Sequence, residues 1–390
     1  MKSRRNFNLV NIQMRFLMPL HSDTDKAHQT DGFTLVELLI VIVVLGILMA
    51  LLLPAFNSVR EGARQAACSN QMRQLGMGMQ QYESRYGAFP AAFTGGEDGS
   101  EFEDVPNYNV LAYILPYLEL DYIANIFDME SDWNDTTNRK DELSEAELAI
   151  FKQRMGFTNN NFHVTNQRIA EQDAFQFLCS SAPVRGDADI SQGIKSNGDP
   201  QKFNFPHAAT DYCSAYAIAK DFYNYYSDSN GHGYEGPESA LGHGMLQSNK
   251  RTGASAIRDG MGNTFLLFES AGKPYRYQDG KTYVDWSLPN GDIEKINLLA
   301  NDAFTQWSNW KASMKINPGA GADDDDNPYL NWNKDKFINH TNIGEVYSFH
   351  PDGAMILYGD GAVKFESEDM DPAVFINRFT RNGGEVEYRD

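Results

Sequence analysis

The stretch GFTLVELLIVIVVLGILMALLLP, residues 32–54, decides the architecture of this chain of 390 residues. Every residue from Leu38 to Leu53 is apolar or glycine, and the run to Phe56 contains 19 residues, close to the ~20 that cross a bilayer as a helix. A buried helix of a soluble core is the alternative, but core helices are seldom apolar on every face. Glu37 lies at the front edge of the run, where an ionised carboxylate is costly unless it is paired. The stretch therefore predicts a membrane segment that begins with a carboxylate.

The segment in front of it, residues 1–32, does not have the pattern of a folded element. It is polar, lacks the apolar core of an ordinary secretory signal, and carries the basic residues Lys2, Arg4, Arg5, Arg15 and Lys26. A basic flank predicts that the N-terminal end of the span stays in the cytoplasm and that the chain after the span lies outside.

Helical periodicity continues beyond the apolar run and predicts an amphipathic stalk at residues 57–89. Apolar residues follow helical spacing in two sets, with a register slip near Asn70 between them. The sets are Phe56, Val59, Ala63 and Ala66, followed by Met72, Leu75, Met79, Tyr82 and Tyr86. Pro54 predicts a kink, and Gly87 with Pro90 predicts the end of the helix. We expect one helix from about Thr34 to Tyr86, whose second half packs its apolar stripe on a globular domain.

Residues 90–390 alternate short apolar runs with Gly, Asn, Asp and Pro clusters, which indicates a globular α+β domain. VLAYILPYLEL (110–120) predicts a helix or a buried strand. LSEAELAIFKQRMG (143–156) predicts a helix, because Ser144 and Glu147 have capping-box spacing and Gly156 suits the C-terminal end. FQFLC and NTFLLFES have strand character. GEVYSFHPDGAMILYGDGAVKFES (344–367) has three strand-like runs separated by turns, which predicts a β-meander in an antiparallel sheet.

Composition and cysteines narrow the function classes. A net charge of −20 argues against nucleic-acid binding through a basic surface, and the 12% aromatic content argues against a disordered chain. Three cysteines, Cys68, Cys179 and Cys213, are too few for a disulfide scaffold, and their spacing matches no Cys/His zinc motif. In an oxidising compartment one disulfide is expected, and its pairing stays open among three choices.

Gly32-Phe33-Thr34-Leu35-Val36-Glu37 with its apolar tail resembles the processing site of type IV prepilins and type II secretion pseudopilins. The resemblance implies that a prepilin peptidase of the bacterial inner membrane cuts between Gly32 and Phe33 and methylates the amine of Phe33. Glu37 then becomes the fifth mature residue and Pro54 the twenty-second. The leader is longer than is usual in that family, and translation from Met14 or Met18 would shorten it.

Two roles for Glu37 follow from this resemblance. Inside an assembling filament its carboxylate can pair with the N-terminal amine of a neighbouring subunit, so that a misaligned subunit leaves the charge buried and alone. The alternative is that Glu37 extends to the membrane interface within its own chain.

Three further segments resemble a large bacterial family that joins a prepilin-like N-terminus to a domain of unknown function. They are residues 64–90, residues 257–270 with a D-G-x-x-N-T pattern, and residues 349–365 with a C-terminal H-x9-DG motif. The motif residues are Asp259, Gly260, Asn263, Thr264, His350, Asp360 and Gly361. Cys68 and Cys179 lie where that family's cysteines are expected. The resemblance implies a pilin-like lollipop, a long helix packed on a globular α+β domain, and no established chemistry.

Catalysis and metal binding have weak support in the sequence. His350 and Asp360 suggest a catalytic dyad, but the strand between them would separate them by roughly 17 Å, and a dyad requires about 3 Å. No nucleophile elbow, Walker loop, dinucleotide fingerprint or H-E-x-x-H motif is present, so we expect no enzyme. The acidic run Asp323, Asp324, Asp325 and Asp326 predicts a solvated loop, with calcium binding as the alternative. No other cofactor is expected.

Two functions compete. The first is a pseudopilin-like subunit that is held by one span in the inner membrane, with its domain in the periplasm or outside the cell, and that assembles with other pilin-like subunits. The second is a membrane-tethered module that binds a solute or glycan. DFYNYYSD (221–228) and Trp307, Trp310 and Trp332 would offer stacking surfaces for such a ligand, but a place in the core or an interface is the favoured interpretation of these aromatic residues.

Overall fold

The computed structural model describes residues 34–96, 104–170, 174–183, 193–194, 200–201, 209–218, 243–272, 277–278, 281–282, 308, 314–316, 336–342 and 344–382. Several predicted features lie outside these residues: Gly32, Phe33, the acidic run 323–326, the segment 221–228, and Trp307, Trp310 and Trp332. Contacts divide the chain into two compact units, Met1–Phe56 and Asn57–Asp390.

The first helix, α1, spans Leu35–Tyr86 and confirms the predicted long helix. Side chains from residue 34 to residue 53 are exposed, and an 18-residue window of the helix has a mean hydropathy of 3.2 with none of it buried. Among the described residues this is the one helix long and apolar enough to cross a membrane. The helix assignment continues through Pro54, where the kink stays a prediction. Gly87, at a φ of +72°, follows the last turn, as its position in the sequence indicates.

The second unit contains short helices and strands beside the end of α1. The helices are α2 Val110–Ile114, α3 Asp121–Ala124, α4 Glu145–Arg154, α5 Asn166–Ala170 and α6 Pro372–Phe379, with 3-10 turns at Leu115–Tyr117, Lys140–Glu142, Phe175–Phe177 and Ala254–Ala256. The strands are β1 Phe93–Thr94, β2 Tyr108–Asn109, β3 Gly193–Ile194, β4 Pro200–Gln201, β5 Tyr212–Cys213, β6 Ala215–Ile218, β7 Phe265–Glu269, β8 Tyr277–Gln278, β9 Lys281–Thr282, β10 Met314–Ile316, β11 Gly353–Tyr358 and β12 Val363–Ser367.

A four-stranded antiparallel sheet in the order β12-β11-β7-β5 forms the centre of this unit, as expected for the α+β class. Side chains of β11 alternate between its two faces. Met355 and Leu357 join the core that includes the buried residues of α1, whereas Ala354 and Ile356 join the core that includes α6. The sheet is therefore covered on both faces. The remaining strands form separate pairs, of which β6 with β10 is parallel.

The part of α1 in the second unit, residues 57–86, is called the stalk below. Met72, Leu75, Met79 and Tyr82 are buried as predicted. The prediction that the apolar set before Asn70 faces the domain is wrong. Val59 is 72% exposed, and Ala63 and Ala66 are exposed as well. The inward face instead continues backwards in steps of three and four through Cys68, Gln65 and Glu61, which are buried or half-buried. The apparent slip near Asn70 arose because the inward positions at that end are polar.

Two local predictions are confirmed. Residues 110–117 are helical, and α4 begins with a capping box in which Ser144 Oγ accepts from the Glu147 N–H and Glu147 accepts from the Ser144 N–H. Gly156, with a φ of +68°, ends that helix region as expected.

Two strand predictions are wrong. FQFLC forms a 3-10 turn at Phe175–Phe177 instead of a strand. Its backbone hydrogen-bonding groups are used by Asp211: the Asp211 N–H donates to the Phe177 carbonyl, and Asp211 Oδ2 accepts from the Cys179 N–H. The first run of the predicted meander, around Val346, makes isolated bridges to Ser270 and Ile338 and does not pair with β11. The edge of β11 that it would have occupied is taken by β7, a pairing between distant segments.

Candidate functional site

His350 of the H-x9-DG motif lies at the start of the turn that leads into β11 and is 2% exposed. Local hydrogen bonds hold it there: its N–H donates to Ser348 Oγ at 3.2 Å and its carbonyl accepts from Asn339 Nδ2 at 3.5 Å. Asp352 continues the turn with a φ of +66°, a conformation that Asp tolerates better than most residues. The turn therefore aims the imidazole into the protein, against the stalk.

The ring of His350 lies between two carboxylates from different elements. Its Nδ1 is 2.6 Å from Oε1 of Glu61 on the stalk, and its Nε2 is 3.5 Å from Oε1 of Glu269, the last residue of β7. Ser181 Oγ is 3.1 Å from Nδ1. A buried ion pair needs complementary hydrogen bonds to offset the loss of hydration, and the short contact with Glu61 supplies one.

The ionisation of this group follows from its surroundings. Burial is the largest influence and lowers the pKa of His350, but the close carboxylates of Glu269 and Glu61 together raise the pKa above its ordinary value. For Glu61 burial raises the pKa, yet contacts with His350 and Arg64 outweigh it and the pKa is lowered. The cluster thus favours a histidinium between carboxylates.

Glu269 is completely buried. One of its oxygens, Oε2, accepts from the Met355 N–H at 2.9 Å. Its other oxygen, Oε1, faces His350 Nε2 and has no hydrogen bond within the described part of the chain. Buried polar atoms are normally hydrogen-bonded, so this oxygen, which has only an ion-pair contact with His350 at 3.5 Å, has room for a further partner.

A disulfide between Cys68 and Cys179 borders the same cluster and resolves the pairing that the sequence left open. The Cα atoms are 5.2 Å apart and the two residues are separated by 111 positions, so the bond joins the stalk to the loop after the 3-10 turn at Phe175–Phe177. Cys179 Sγ is also 3.6 Å from His350 Nε2. Cys213 is buried in β5 and lies outside the disulfide.

The other end of the H-x9-DG motif contacts the stalk as well. Gln80 Nε2 donates to the Asp360 carbonyl at 2.8 Å, and Gly361 has a φ of +88°. Glu61 and Gln80 are separated by about 28 Å along the stalk at ~1.5 Å per residue. The two ends of the motif therefore contact the stalk about five helical turns apart.

The D-G-x-x-N-T segment forms the turn before β7. Gly260 has a φ of +91°, Asn263 Nδ2 donates to the Asp259 carbonyl at 3.2 Å, and Thr264 Oγ1 donates to the Gly260 carbonyl at 3.0 Å. The Thr264 carbonyl in turn accepts from the Gly359 N–H at 3.0 Å. These motif residues therefore hold the Asp360–Gly361 turn in place.

His350 and Asp360 are kept apart at opposite ends of β11, as the sequence argument against a dyad expected. A Ser181–His350–Glu269 series has the order of a catalytic triad. However, Nδ1 is already engaged by Glu61 at 2.6 Å, where it donates its proton, and the ring is buried. A nitrogen so occupied is unsuited to accept the proton of Ser181.

Sequence analysis missed Glu61 and Glu269 as members of this cluster. For Glu61 a signal existed, because Glu61, Cys68, Leu75 and Tyr82 recur every seventh residue. A charged residue within a buried helical stripe suggests a specific partner. Nothing in the local sequence distinguishes Glu269 from an ordinary strand end.

At the other end of α1, Glu37 forms a capping box with Thr34. Glu37 Oε2 accepts from the Thr34 N–H at 2.9 Å and from Thr34 Oγ1 at 2.8 Å, and Thr34 Oγ1 accepts from the Glu37 N–H at 3.2 Å. The T-x-x-E signature of this cap is visible in the sequence and was missed there. Glu37 therefore has a partner within its own chain.

Comparison with known proteins gives two family matches. A profile described as "Protein of unknown function (DUF1559)" matches residues 57–373, and one described as "Prokaryotic N-terminal methylation motif" matches residues 29–53. No curated protein and no solved structure matches the chain.

Proposed function

Because this chain belongs to the DUF1559 family of proteins of unknown function and begins with a prokaryotic N-terminal methylation motif, we propose that it is a structural subunit of a pilin-like filament. A prepilin peptidase cuts between Gly32 and Phe33 and methylates Phe33. The processed subunit then assembles with other pilin-like subunits into, or is anchored beside, a filament of the type IV pilus or type II secretion kind. The observation that supports this proposal most directly is the exposed apolar segment Leu35–Leu53, which needs a membrane or a bundle of like helices to cover it.

The location follows from the same segment. The basic residues before the span favour an N-terminus in the cytoplasm, with the globular domain in the periplasm or outside the cell. The disulfide between Cys68 and Cys179 supports this orientation, because such bonds persist in oxidising compartments. The inner membrane is the site where the leader would be removed.

The role that we propose is not enzymatic. The histidine that most invites a catalytic interpretation, His350, is buried and paired to Glu61. Its position between the stalk and the sheet supports a function in holding the domain to its helix. Such a connection must be firm in a subunit that is pulled through its N-terminal helix.

Substitution of Glu37 can distinguish assembly into a filament from simple membrane anchoring. Its capping box with Thr34 provides a matched control variant. Glu37→Gln removes the charge but keeps an oxygen that can accept from Thr34, since Gln also forms capping boxes. Thr34→Ala keeps the charge and weakens the cap, at a cost of about 1 kcal/mol to the helix end. If the charge pairs with the N-terminal amine of a neighbour, the two variants must differ.

The experiment expresses both variants and the wild-type chain in cells that hold the assembly machinery. Mass spectrometry first establishes that each chain begins at a methylated Phe33. Immunoblots of sheared filament and membrane fractions then give incorporation. We expect Glu37→Gln to reduce incorporation more than tenfold with membrane insertion retained, and Thr34→Ala to incorporate as the wild type does.

Other outcomes would contradict the proposal. Incorporation of Glu37→Gln at the wild-type level, or absence of the wild-type chain from any filament fraction, would favour the membrane-tethered binding module. Equal losses in both variants would assign Glu37 to helix capping instead of intersubunit pairing. A wild-type chain with an intact leader would refute processing.

A further inference from the structure

We propose that Cys68, Cys179, Glu269 and His350 form a tetrahedral zinc site when the two cysteines are thiols, so that the metal and the disulfide are alternative states of one cluster. All four residues are buried, and one ligand atom from each lies within 4.8 Å of the others. The site would join the stalk, the loop at Cys179, the end of β7 and the turn before β11.

Two of the six distances between the ligand atoms match the edges of a zinc coordination sphere. Zinc bonds of ~2.3 Å to sulfur and ~2.0–2.1 Å to nitrogen or oxygen give tetrahedral edges of about 3.3–3.8 Å. Cys179 Sγ lies 3.6 Å from His350 Nε2, and His350 Nε2 lies 3.5 Å from Glu269 Oε1. Both edges therefore have the required length, and the two sulfur atoms would separate to about 3.8 Å once the disulfide is reduced.

The groups around these ligands are those that metal sites use. A ligating histidine usually donates its other ring N–H to a carboxylate, and Nδ1 of His350 is 2.6 Å from Glu61 Oε1. Glu269 Oε2 already accepts from the Met355 N–H, which leaves Oε1 for a metal. The Ser180 N–H donates to Cys68 Sγ at 3.1 Å, a contact that would stabilise a thiolate.

Oxygen Oε1 of Glu269 supports a metal at this site independently of the distances. Oε1 is buried and has no hydrogen bond among the described residues, and it points at the cluster centre through its contact with His350. A cation bound there would satisfy it. Two thiolates, an imidazole and a carboxylate favour zinc over calcium or magnesium, which prefer sets of oxygen ligands.

The disulfide and the zinc-bound dithiolate interconvert by thiol–disulfide exchange with a partner of the dithiol class. A dithiol reductant transfers two electrons and two protons to the disulfide, which becomes two thiols, and the reductant becomes a disulfide. Zn²⁺ then displaces the two thiol protons and binds the thiolates. In the reverse direction a protein disulfide of the exchange class oxidises the thiols and releases Zn²⁺.

Sequence spacing could not reveal this site, because its four ligands come from separate segments and no two lie within a C-x-x-C or H-x-x-x-H pattern. The proposal therefore differs from the expectation of no cofactor. It is also independent of filament assembly, since it concerns the globular unit alone.

The test uses the full-length chain in detergent, reduced with a phosphine and freed of metal, and then titrated with Zn²⁺ or Co²⁺. We expect one Zn²⁺ per reduced chain and none in the oxidised chain. Co²⁺ should give thiolate charge-transfer bands and the intense visible bands of tetrahedral geometry. Glu269→Gln and His350→Gln should weaken binding at least tenfold. Glu61→Gln, which keeps an oxygen acceptor for Nδ1, should weaken it less.

Controls separate loss of the site from loss of the fold. Cys213→Ala leaves all four ligands in place and should bind as the wild type does, and circular dichroism of each reduced variant checks its helix content. Binding by a folded Cys68→Ser/Cys179→Ser chain at wild-type affinity would overturn the proposal. A reduced, folded wild-type chain without stoichiometric Zn²⁺ would overturn it as well, as would a Co²⁺ complex without thiolate bands.

Discussion

Gly361, at the far end of the H-x9-DG motif, has a φ of +88°, a backbone conformation that L side chains rarely adopt. A Cβ built at this position would lie 2.6 Å from Nε2 of Gln80, the side chain that donates to the Asp360 carbonyl. Gln80 is exposed and can rotate away, so backbone strain accounts for most of the requirement for glycine. At the residue scale the motif is thus explained by conformation and docking.

We therefore expect Gly361→Ala to lower the free energy of unfolding by about 1–2 kcal/mol. Urea unfolding of the oxidised chain measures this change. Gly253→Ala is the matched control, because its φ is not positive and the nearest side-chain atom to its Cβ is 3.9 Å away, so its effect should stay within ~0.5 kcal/mol. Equal effects of the two substitutions would contradict the argument from backbone strain.

At the scale of the element, two of the three glycines of the stalk lie in opposite surroundings. A Cβ at Gly62 meets no atom within 4 Å, whereas one at Gly76 would lie 2.9 Å from Cδ1 of the completely buried Leu357 in β11. Alanine favours the helix over glycine by about 1 kcal/mol at either position. The close approach of the helix to the sheet is the reason for a glycine at position 76.

Gly62→Ala should therefore stabilise the chain by up to about 1 kcal/mol, whereas Gly76→Ala should destabilise it by up to about 2 kcal/mol, because overpacking outweighs the gain in helix propensity. Thermal unfolding of the two variants, compared with the wild type under identical detergent conditions, shows whether each substitution raises or lowers the stability. A stabilising Gly76→Ala would show that the helix does not dock against Leu357 as described.

At the scale of the whole molecule, the disulfide between Cys68 and Cys179 closes a loop of 111 positions and adds a second covalent link between the stalk and the domain, beside the backbone that leaves the stalk after Tyr86. A disulfide that closes a loop of this length lowers the conformational entropy of the unfolded chain. This effect stabilises the folded chain by roughly 2–5 kcal/mol. The bond and the pair of Glu61 with His350 act at the same end of the stalk, whereas Gln80 acts at the other.

Reduction in the presence of a chelator should lower the stability of the wild-type chain by roughly 2–5 kcal/mol. Cys213→Ala should show the same loss on reduction, since it keeps the disulfide, and Cys68→Ser/Cys179→Ser should show none. Chemical unfolding of each chain with and without reductant measures the difference. A loss on reduction in the double variant would mean that another bond holds the domain.

The sequence alone determined the features that depend on local pattern. The apolar run of residues 38–53, the long helix to Tyr86, the capping box at Ser144 and the strands around Leu267 and Ile356 were all readable, because periodicity and caps act within a few residues. The family was readable for the same reason, since the methylation motif is a short continuous segment.

Only the tertiary structure decided which face of the stalk is buried, which cysteines pair, and what His350 contacts. Glu61, Cys179, Glu269 and His350 come from four separate segments, and their meeting depends on the pairing of β11 with β7 and on the docking of α1. Burial, unlike propensity, is a property of the assembled core. Glu269 is therefore indistinguishable in the sequence from a surface charge at the end of a strand until the sheet is in place.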